Sequence, residues 1–429
     1  MMKFLLFLYN LVLPLGFVFF VPGLLWKLWR RPGWKKTFGE RFACYKKERK
    51  IELQNFRNGI WLHAVSVGES VIALALCRKL RERYPNLPVV ISTGTTTGQE
   101  LVRKQLPEGA AAIFCPMDFC WMVKKVLRML QPQMLVIFET EIWPNLIVQA
   151  KKTGIKTALV NARLSDHSAK GYKRCKVFFK PLLAQFDIIA AQSAGDKERF
   201  LQVSPQANVV NCGNLKFDQQ VPENLQPADL SEYFAGGNYK VILGASTHPG
   251  EEAVIAESFA ELYKRYPDLR LVLIPRHAER GAEVMEVLAK NNIPTARRSN
   301  NERTGNDVLC LLADTTGEML KFMKTSDIVI MGKSIAGHDE GHNLIEPALL
   351  KKAIVTGAVL RNFRFLMQVL TGKNAVKTIS GDAELTPALD ELLSNDQMRN
   401  ELGEKAFAAI AEHAGATAKT LDALDKIRQ

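Results

Sequence analysis

The sequence predicts an α/β protein of two doubly wound parallel-sheet domains, preceded by a hydrophobic N-terminal helix. Three observations lead there. Short apolar runs of strand length alternate with helical patterns along most of the chain, the signature of βαβ units and of a sheet covered on both faces. At 429 residues the chain exceeds what one core organises, so two domains of roughly 200 residues each are expected. A Pro-rich polar stretch, Val221-Pro-Glu-Asn-Leu-Gln-Pro-Ala-Asp229, interrupts the alternation midway, after which it restarts.

Residues 1–30 stand apart from the globular pattern. Between residues 4 and 25 there is no charged side chain, and about 20 such residues suffice to span a bilayer. Trp26, Trp29 and Trp34 follow, mixed with Lys27, Arg30, Arg31, Lys35 and Lys36. An aromatic belt with a cationic flank reads as an uncleaved membrane anchor with the body of the protein on the cytoplasmic side. A cleaved signal peptide fits worse, because Lys3 is the only n-region cation and no small-x-small site precedes the tryptophans.

In residues 31–222 the strand candidates are 60–67, 88–93, 111–115, 134–139, 156–161, 187–191 and 208–212. In residues 223–429 they are 240–245, 270–275, 308–313, 327–332 and 353–356, closed by an alanine-rich helical stretch at 396–427 that is expected to pack back across the other domain. Two such domains facing each other hold ligands in the cleft at the C-terminal ends of their strands.

Composition is globular, with 47% hydrophobic and 24% charged residues and no low-complexity tract or fixed repeat. The net charge of +13 points to an anionic partner: a membrane surface, a phosphorylated substrate or nucleic acid. No recognised nucleic-acid module or aromatic-interleaved basic patch supports the last. The seven cysteines are scattered and form no metal-ligand spacing, which fits a reducing compartment without a structural metal.

The candidate chemistry lies where strands end. Trp61-Leu-His-Ala-Val-Ser-Val-Gly-Glu-Ser70 is a strand running through a Gly-Glu-Ser turn into a helix. Glu69 there is placed to act as a general base, although a capping carboxylate explains the same pattern. Phe138-Glu-Thr-Glu-Ile-Trp-Pro-Asn145 puts two carboxylates straight after an apolar strand. Arg163 closes a third strand in Asn161-Ala-Arg, and Gly213-Asn-Leu-Lys216 brings a cation to the exit of the domain's last strand. A lysine at that point stabilises a leaving phosphate or a substrate carboxylate.

In the second domain Gly244-Ala-Ser-Thr-His-Pro-Gly-Glu-Glu252 is a small-residue turn before a helix, and it lacks the Gly-Lys-Ser/Thr of a Walker loop. Pro275-Arg276-His277 ends the next strand, and Thr316-Gly-Glu-Met319 leads into a helix. Gly341-His-Asn-Leu-Ile-Glu-Pro-Ala348 follows a strand and a polar loop. Asn343 and Glu346 there read equally well as a capping box and as one wall of a nucleotide site. Four successive strand ends with polar or glycine-rich turns favour the nucleotide site.

Taken in order, Ser66-Val-Gly-Glu69, Glu139-Thr-Glu-Ile-Trp-Pro144, Asn161-Ala-Arg163, Gly213-Asn-Leu-Lys216, Ser246-Thr-His248, Pro275-Arg276-His277, Gly317-Glu-Met319 and Asn343-Leu-Ile-Glu346 resemble the 3-deoxy-D-manno-octulosonic acid (Kdo) transferases. These are membrane-associated, inverting glycosyltransferases of the GT-B fold, two Rossmann-like domains around a central cleft. The resemblance covers nearly the whole chain. It implies transfer of Kdo from CMP-Kdo to a lipid A precursor at the inner membrane, without metal or cofactor. It also implies Glu69 as general base, Glu139 and Lys216 as transition-state stabilisers, and CMP binding by Pro275, Arg276, Gly317, Glu318, Met319, Asn343 and Glu346. Ser66, Arg163, Ser246, Thr247 and His248 are candidate substrate contacts. One stretch departs from the pattern: residues 333–340 carry Lys333 and an acidic His-Asp-Glu where more glycine is expected. Two other classes compete, a UDP-sugar GT-B enzyme or epimerase and a non-catalytic basic membrane-binding protein. Neither accounts for the first-domain motifs.

Overall fold

The computed structural model describes residues 2–30, 39–300 and 307–428. The chain divides into two compact units, residues 1–218 with 414–429, and residues 219–413.

The first unit is built on seven strands: β1 Ile60–Ala64, β2 Val89–Thr93, β3 Ala110–Phe114, β4 Met134–Phe138, β5 Lys156–Ala162, β6 Ile188–Ala191 and β7 Val209–Asn211. They pair in parallel in the order β3-β2-β1-β4-β5-β6-β7. Continuous apolar runs make such strands because both faces are covered by helices. In β4, Leu135 and Ile137 enter one core cluster while Met134, Val136 and Phe138 enter the other. The second unit repeats the plan with β8 Lys240–Thr247, β9 Leu269–Pro275, β10 Thr295–Arg297, β11 Cys310–Leu312, β12 Ile328–Met331, β13 Ala353–Gly357 and β14 Lys377–Ile379. Their order is β10-β11-β9-β8-β12-β13-β14.

Each sheet starts in its middle, winds to one edge, and returns to wind the other way. The reversal falls between β1 and β4 in the first unit and between β8 and β12 in the second. At such a reversal neighbouring loops diverge and leave a crevice at the strands' C-terminal ends, where α/β proteins bind ligands.

Three features differ from the sequence reading. β10 and β14, three residues each, are edge strands too short to carry a period. The expected 396–427 stretch is two helices, Asp396–Ala411 and Ala416–Arg428, separated by a turn at Gly415 with φ +93°. The second of them packs back onto the first unit, as expected, but so fully that residues 414–429 belong to that unit and not to the domain expected from 223 onward. The Asp218 carboxylate accepts from the Gly415 N–H at 2.6 Å and from the Thr417 N–H, and Leu421, Ala423 and Leu424 complete a first-unit core cluster.

The N-terminal helix Met2–Arg30 forms as expected, but a spanning anchor is not shown: among the described residues no helix is long and apolar enough to cross a membrane. One face of this helix is docked on the first unit. Tyr9 Oη donates to Asp118 at 2.9 Å, Asn10 and Asn145 exchange side-chain amide bonds at 3.0 and 2.9 Å, Leu6 is buried, and Phe17 packs edge-on to Phe119. Of the cationic flank, Arg31, Trp34, Lys35 and Lys36 lie outside the described residues.

Candidate active site

In the first unit the candidate side chains Glu69 and Glu139 follow β1 and β4, the strands that flank its topological reversal. β1 runs into Ser66, the N-cap of helix Val67–Arg83, whose Oγ accepts from the Glu69 N–H at 3.2 Å. The Glu69 carboxylate reaches back, accepting from the Val65 N–H at 2.8 Å and from the Ser66 hydroxyl at 2.6 Å. This reciprocal arrangement is a capping box, so the capping and functional readings of Glu69 coexist in one geometry. Glu69 is only 5% exposed. Burial pushes its carboxyl above the usual range, the bonds from Ser66 and Val65 pull the other way, and nearby Glu141 and Glu139 add to the rise. A carboxylate held in one rotamer with raised basicity suits general-base work.

Glu139 follows β4, the strand beside β1. Its backbone adopts φ +55°, a conformation that costs a non-glycine residue of order 1–3 kcal/mol and concentrates at functional sites. Lys216 Nζ meets Glu139 Oε1 at 3.0 Å. Asn161, also at positive φ (+51°), fixes the lysine-bearing turn by accepting from the Leu215 N–H at 3.0 Å. Lys216 and Glu139 are therefore brought together from positions 77 residues apart (216 minus 139). Glu141 orients Trp143 by accepting from its indole N–H at 2.9 Å. Arg163 lies exposed just past the end of β5.

In the second unit the candidates again flank the reversal. Ser246 and Thr247 end β8; Ser246 has φ +57°, and its Oγ lies 3.3 Å from Met319 Sδ. Arg276 follows β9 with an exposed side chain, and its N–H bonds to the Thr247 carbonyl at 2.9 Å. His248 Nε2 and His342 Nε2 are 3.0 Å apart, with His277 and His338 packed around His248. Burial and then His248, Arg276 and Lys333 push His342 down to about 4, and burial followed by Lys333, His338, His277 and Arg276 lowers His248. The electrostatic character here is that of an anion site.

The helix expected at Asn343 is a single turn, Ile345–Leu349, and Leu344 rather than Asn343 is its N-cap. Asn343 Oδ1 accepts from the Ile345 N–H at 3.2 Å and its amide donates to Gln219, so the anticipated capping box does not form. Its competitor is an Asx turn, a local bond two residues on. Glu346 is half-buried, and burial raises its carboxyl. Gly317 adopts φ +89° before Met319–Thr325, while the Glu318 carboxylate is bound by Arg298 at 2.9 Å and by the Thr315 hydroxyl at 2.5 Å.

The sequence reading missed Glu251. Fully buried, its carboxylate accepts from the N–H groups of His248, Lys333, Ser334 and Ile335 at 2.8 to 3.1 Å. It ties the 246–250 turn to the departing loop and helps Lys333 hold φ +62°, while Asp382 accepts from the Ala336 N–H at 2.8 Å where Ala336 holds φ +53°, both positions where glycine would be the default. Gly332 beside them has no such freedom of replacement, since a Cβ there would lie 2.3 Å from the Ser246 carbonyl oxygen. Glu252 was also missed; Arg280 binds it at 2.7 Å, and the Thr247 hydroxyl donates to it at 2.7 Å. The Gly-Glu-Glu252 run before a helix was the available signal. Among the described residues no group of three or more His, Cys, Asp or Glu side chains is arranged to hold a metal ion.

Residues 36–219 match the family described as 3-deoxy-D-manno-octulosonic-acid transferase (kdotransferase). The chain is 32% identical over 398 residues to the 3-deoxy-D-manno-octulosonic acid transferase of Haemophilus influenzae, covering 92% of each protein. It is likewise 32% identical over 377 residues to that of Bordetella pertussis, covering 85% of this chain and 86% of that one. The fold is similar to a glycosyltransferase from Rickettsia africae, with a TM-score of 0.57 at 15% identity over 86% of this chain and 99% of that one. It is also similar to the UDP-GlcNAc 2-epimerase of Neisseria meningitidis, with a TM-score of 0.59 at 14% identity over 86% of this chain and all of that one. These likenesses establish two GT-B-type α/β domains.

Proposed function

Because the chain belongs to the 3-deoxy-D-manno-octulosonic acid transferase family of glycosyltransferases, we propose that it moves Kdo from CMP-Kdo to a lipid A precursor in lipopolysaccharide biosynthesis, with Glu69 as the base. The observation that carries this reading is Glu69 itself: a buried, doubly hydrogen-bonded carboxylate of raised basicity at the end of β1.

In the proposed step Glu69 takes the proton of the acceptor hydroxyl as its oxygen attacks the anomeric carbon of Kdo. The bond from that carbon to the CMP phosphate oxygen breaks on the opposite side, and CMP leaves with the electron pair. Inversion follows from that single displacement. Lys216, held by Glu139 at 3.0 Å, supplies a fixed cation for developing negative charge, and a charge placed in advance costs no reorganisation during reaction. The side chains of Arg276 and Lys333, with the N–H groups of the turn after β11, are the donors for the nucleotide phosphate, since Glu251 already engages the His248, Lys333, Ser334 and Ile335 N–H groups. Pro275, Gly317, Glu318, Met319, Asn343 and Glu346 belong to the same proposed CMP set, with Glu318 acting through its backbone because Arg298 occupies its carboxylate.

Membrane association is part of the same proposal. Phe4, Phe7, Leu11, Leu15, Val18 and Phe19 recur at helical spacing on the N-terminal helix and are 56 to 86% exposed. Beside that helix, Lys173, Arg174 and Lys176 are exposed. An apolar stripe next to cations supports a helix lying in the interface of an anionic bilayer, here the cytoplasmic face of the inner membrane. The test is incubation of purified protein with CMP-Kdo and a lipid A precursor in lipid vesicles, following CMP release. No acceptor-dependent release defeats the proposal, and undiminished release by Glu69→Ala defeats the base assignment.

A further inference from the structure

We infer that a cavity between the N-terminal helix and the first unit seats one acyl chain of the lipid acceptor, an inference that rests on the reading above. The cavity measures about 330 Å³, within the range of small-molecule sites. Leu13 and Phe17 of the helix form one wall, and Phe42, Met117, Phe119 and Trp143 contribute to the rest. Its polar side chains are engaged within the protein: Tyr9 donates to Asp118, which also accepts from the Asn145 and Leu146 N–H groups at 2.9 and 2.8 Å, and Arg41 donates to the Gly94 carbonyl at 2.6 Å. Apart from Tyr9, Arg41 and Asp118 the lining is predominantly apolar, suited to a hydrocarbon.

Two continuities specify which hydrocarbon. Outward, the cavity wall is the docked face of the helix whose opposite face is the exposed apolar stripe, so a chain entering here comes from the same lipid layer. Inward, Val65 lines the cavity, and its N–H is bonded to the Glu69 carboxylate at 2.8 Å. Trp143, another wall, is held by Glu141, the carboxylate whose charge reaches Glu69. Val67 and Val71, in the first turns of the helix that carries Glu69, are exposed. A ligand with its tail in the cavity therefore has its head beside the base, which describes an acylated sugar acceptor better than a bulk phospholipid.

The test compares the acylated acceptor with its deacylated, water-soluble sugar head in the full-length protein. Leu13→Trp fills the cavity and is expected to raise KM for the acylated acceptor about tenfold or more, while transfer to the deacylated head stays within about twofold of wild type. Leu13→Ala enlarges the cavity and is expected to shift the preferred acyl length upward. An unchanged KM in Leu13→Trp overturns the inference. So does an equal loss on both acceptors, the pattern expected if a bulk lipid chain merely steadies the helix. If Leu13→Trp does not fold, Leu13→Ala decides, and an unaltered chain-length profile overturns it. Wild-type transfer to either acceptor tests the proposed reaction independently of these variants.

Discussion

Glu69→Gln separates catalysis from capping at the same position. Glutamine keeps the shape and one carbonyl oxygen, so it can still accept from either the Val65 N–H or the Ser66 hydroxyl, and the bond from the residue 69 N–H to Ser66 Oγ is untouched. One charge-assisted bond is lost, at a cost of about 1–2 kcal/mol, against a typical domain stability of about 5–15 kcal/mol. The protein is expected to stay folded. Removing a general base lowers the rate by about 10²–10⁴, equivalent to about 3–5 kcal/mol of transition-state stabilisation. The kinetic loss therefore exceeds the structural one. The pH response gives a second readout. Because the folded carboxyl is raised above its unfolded value, the folded state binds more protons across the interval between the two. Its stability contribution is greatest at low pH and declines as pH rises through the folded value. Glu69→Gln removes that slope. The assay is CMP release with saturating donor, alongside thermal unfolding by circular dichroism at several pH values. Transfer within about threefold of wild type in a folded Glu69→Gln protein would refute the base assignment.

Further outcomes follow from the same geometry. Lys216→Ala breaks the 3.0 Å pair with Glu139 and is expected to lower kcat by about 10²–10³ with little change in acceptor KM; a pure KM effect speaks against a transition-state role. Glu251→Ala strands four N–H donors, two of them fully buried, so a loss of about 3 kcal/mol in denaturant unfolding is expected, with donor KM rising because the 333–341 loop loses its tether. His342, pushed down to about 4, binds fewer protons folded than unfolded; its stability contribution is full above the ordinary histidine value and fades as pH falls toward 4. Its ring signals in NMR should show no titration between pH 6 and 8, and an inflection there contradicts the cationic surroundings. Phe7→Asp with Leu11→Asp on the exposed stripe should weaken sedimentation with anionic vesicles while leaving transfer to a soluble deacylated acceptor unchanged; undiminished sedimentation argues against the interfacial helix.

The extended runs at 134–138 and 328–331 were legible by themselves, because a strand covered on both faces has to be apolar throughout. The turns that follow them were legible too, since glycine, Asn and carboxylates after a strand are chemically out of place in a core. Strand order was not. That β4 lies beside β1 and β12 beside β8 depends on which crossover packs where, and this is what brings the Glu139 turn beside the Glu69 turn. Local pattern also misjudged Asn343, where a two-residue Asx turn displaced the capping box, and Glu251, whose four donors come partly from residues 333–335, over 80 positions away. The N-terminal helix shows the division most plainly. Its length and hydrophobicity follow from composition, and these alone suggested a span. Its orientation was decided by Tyr9 and Asn10 finding Asp118 and Asn145, partners that exist only once the first unit has folded, because a buried polar group must be satisfied by whatever the tertiary structure places within reach.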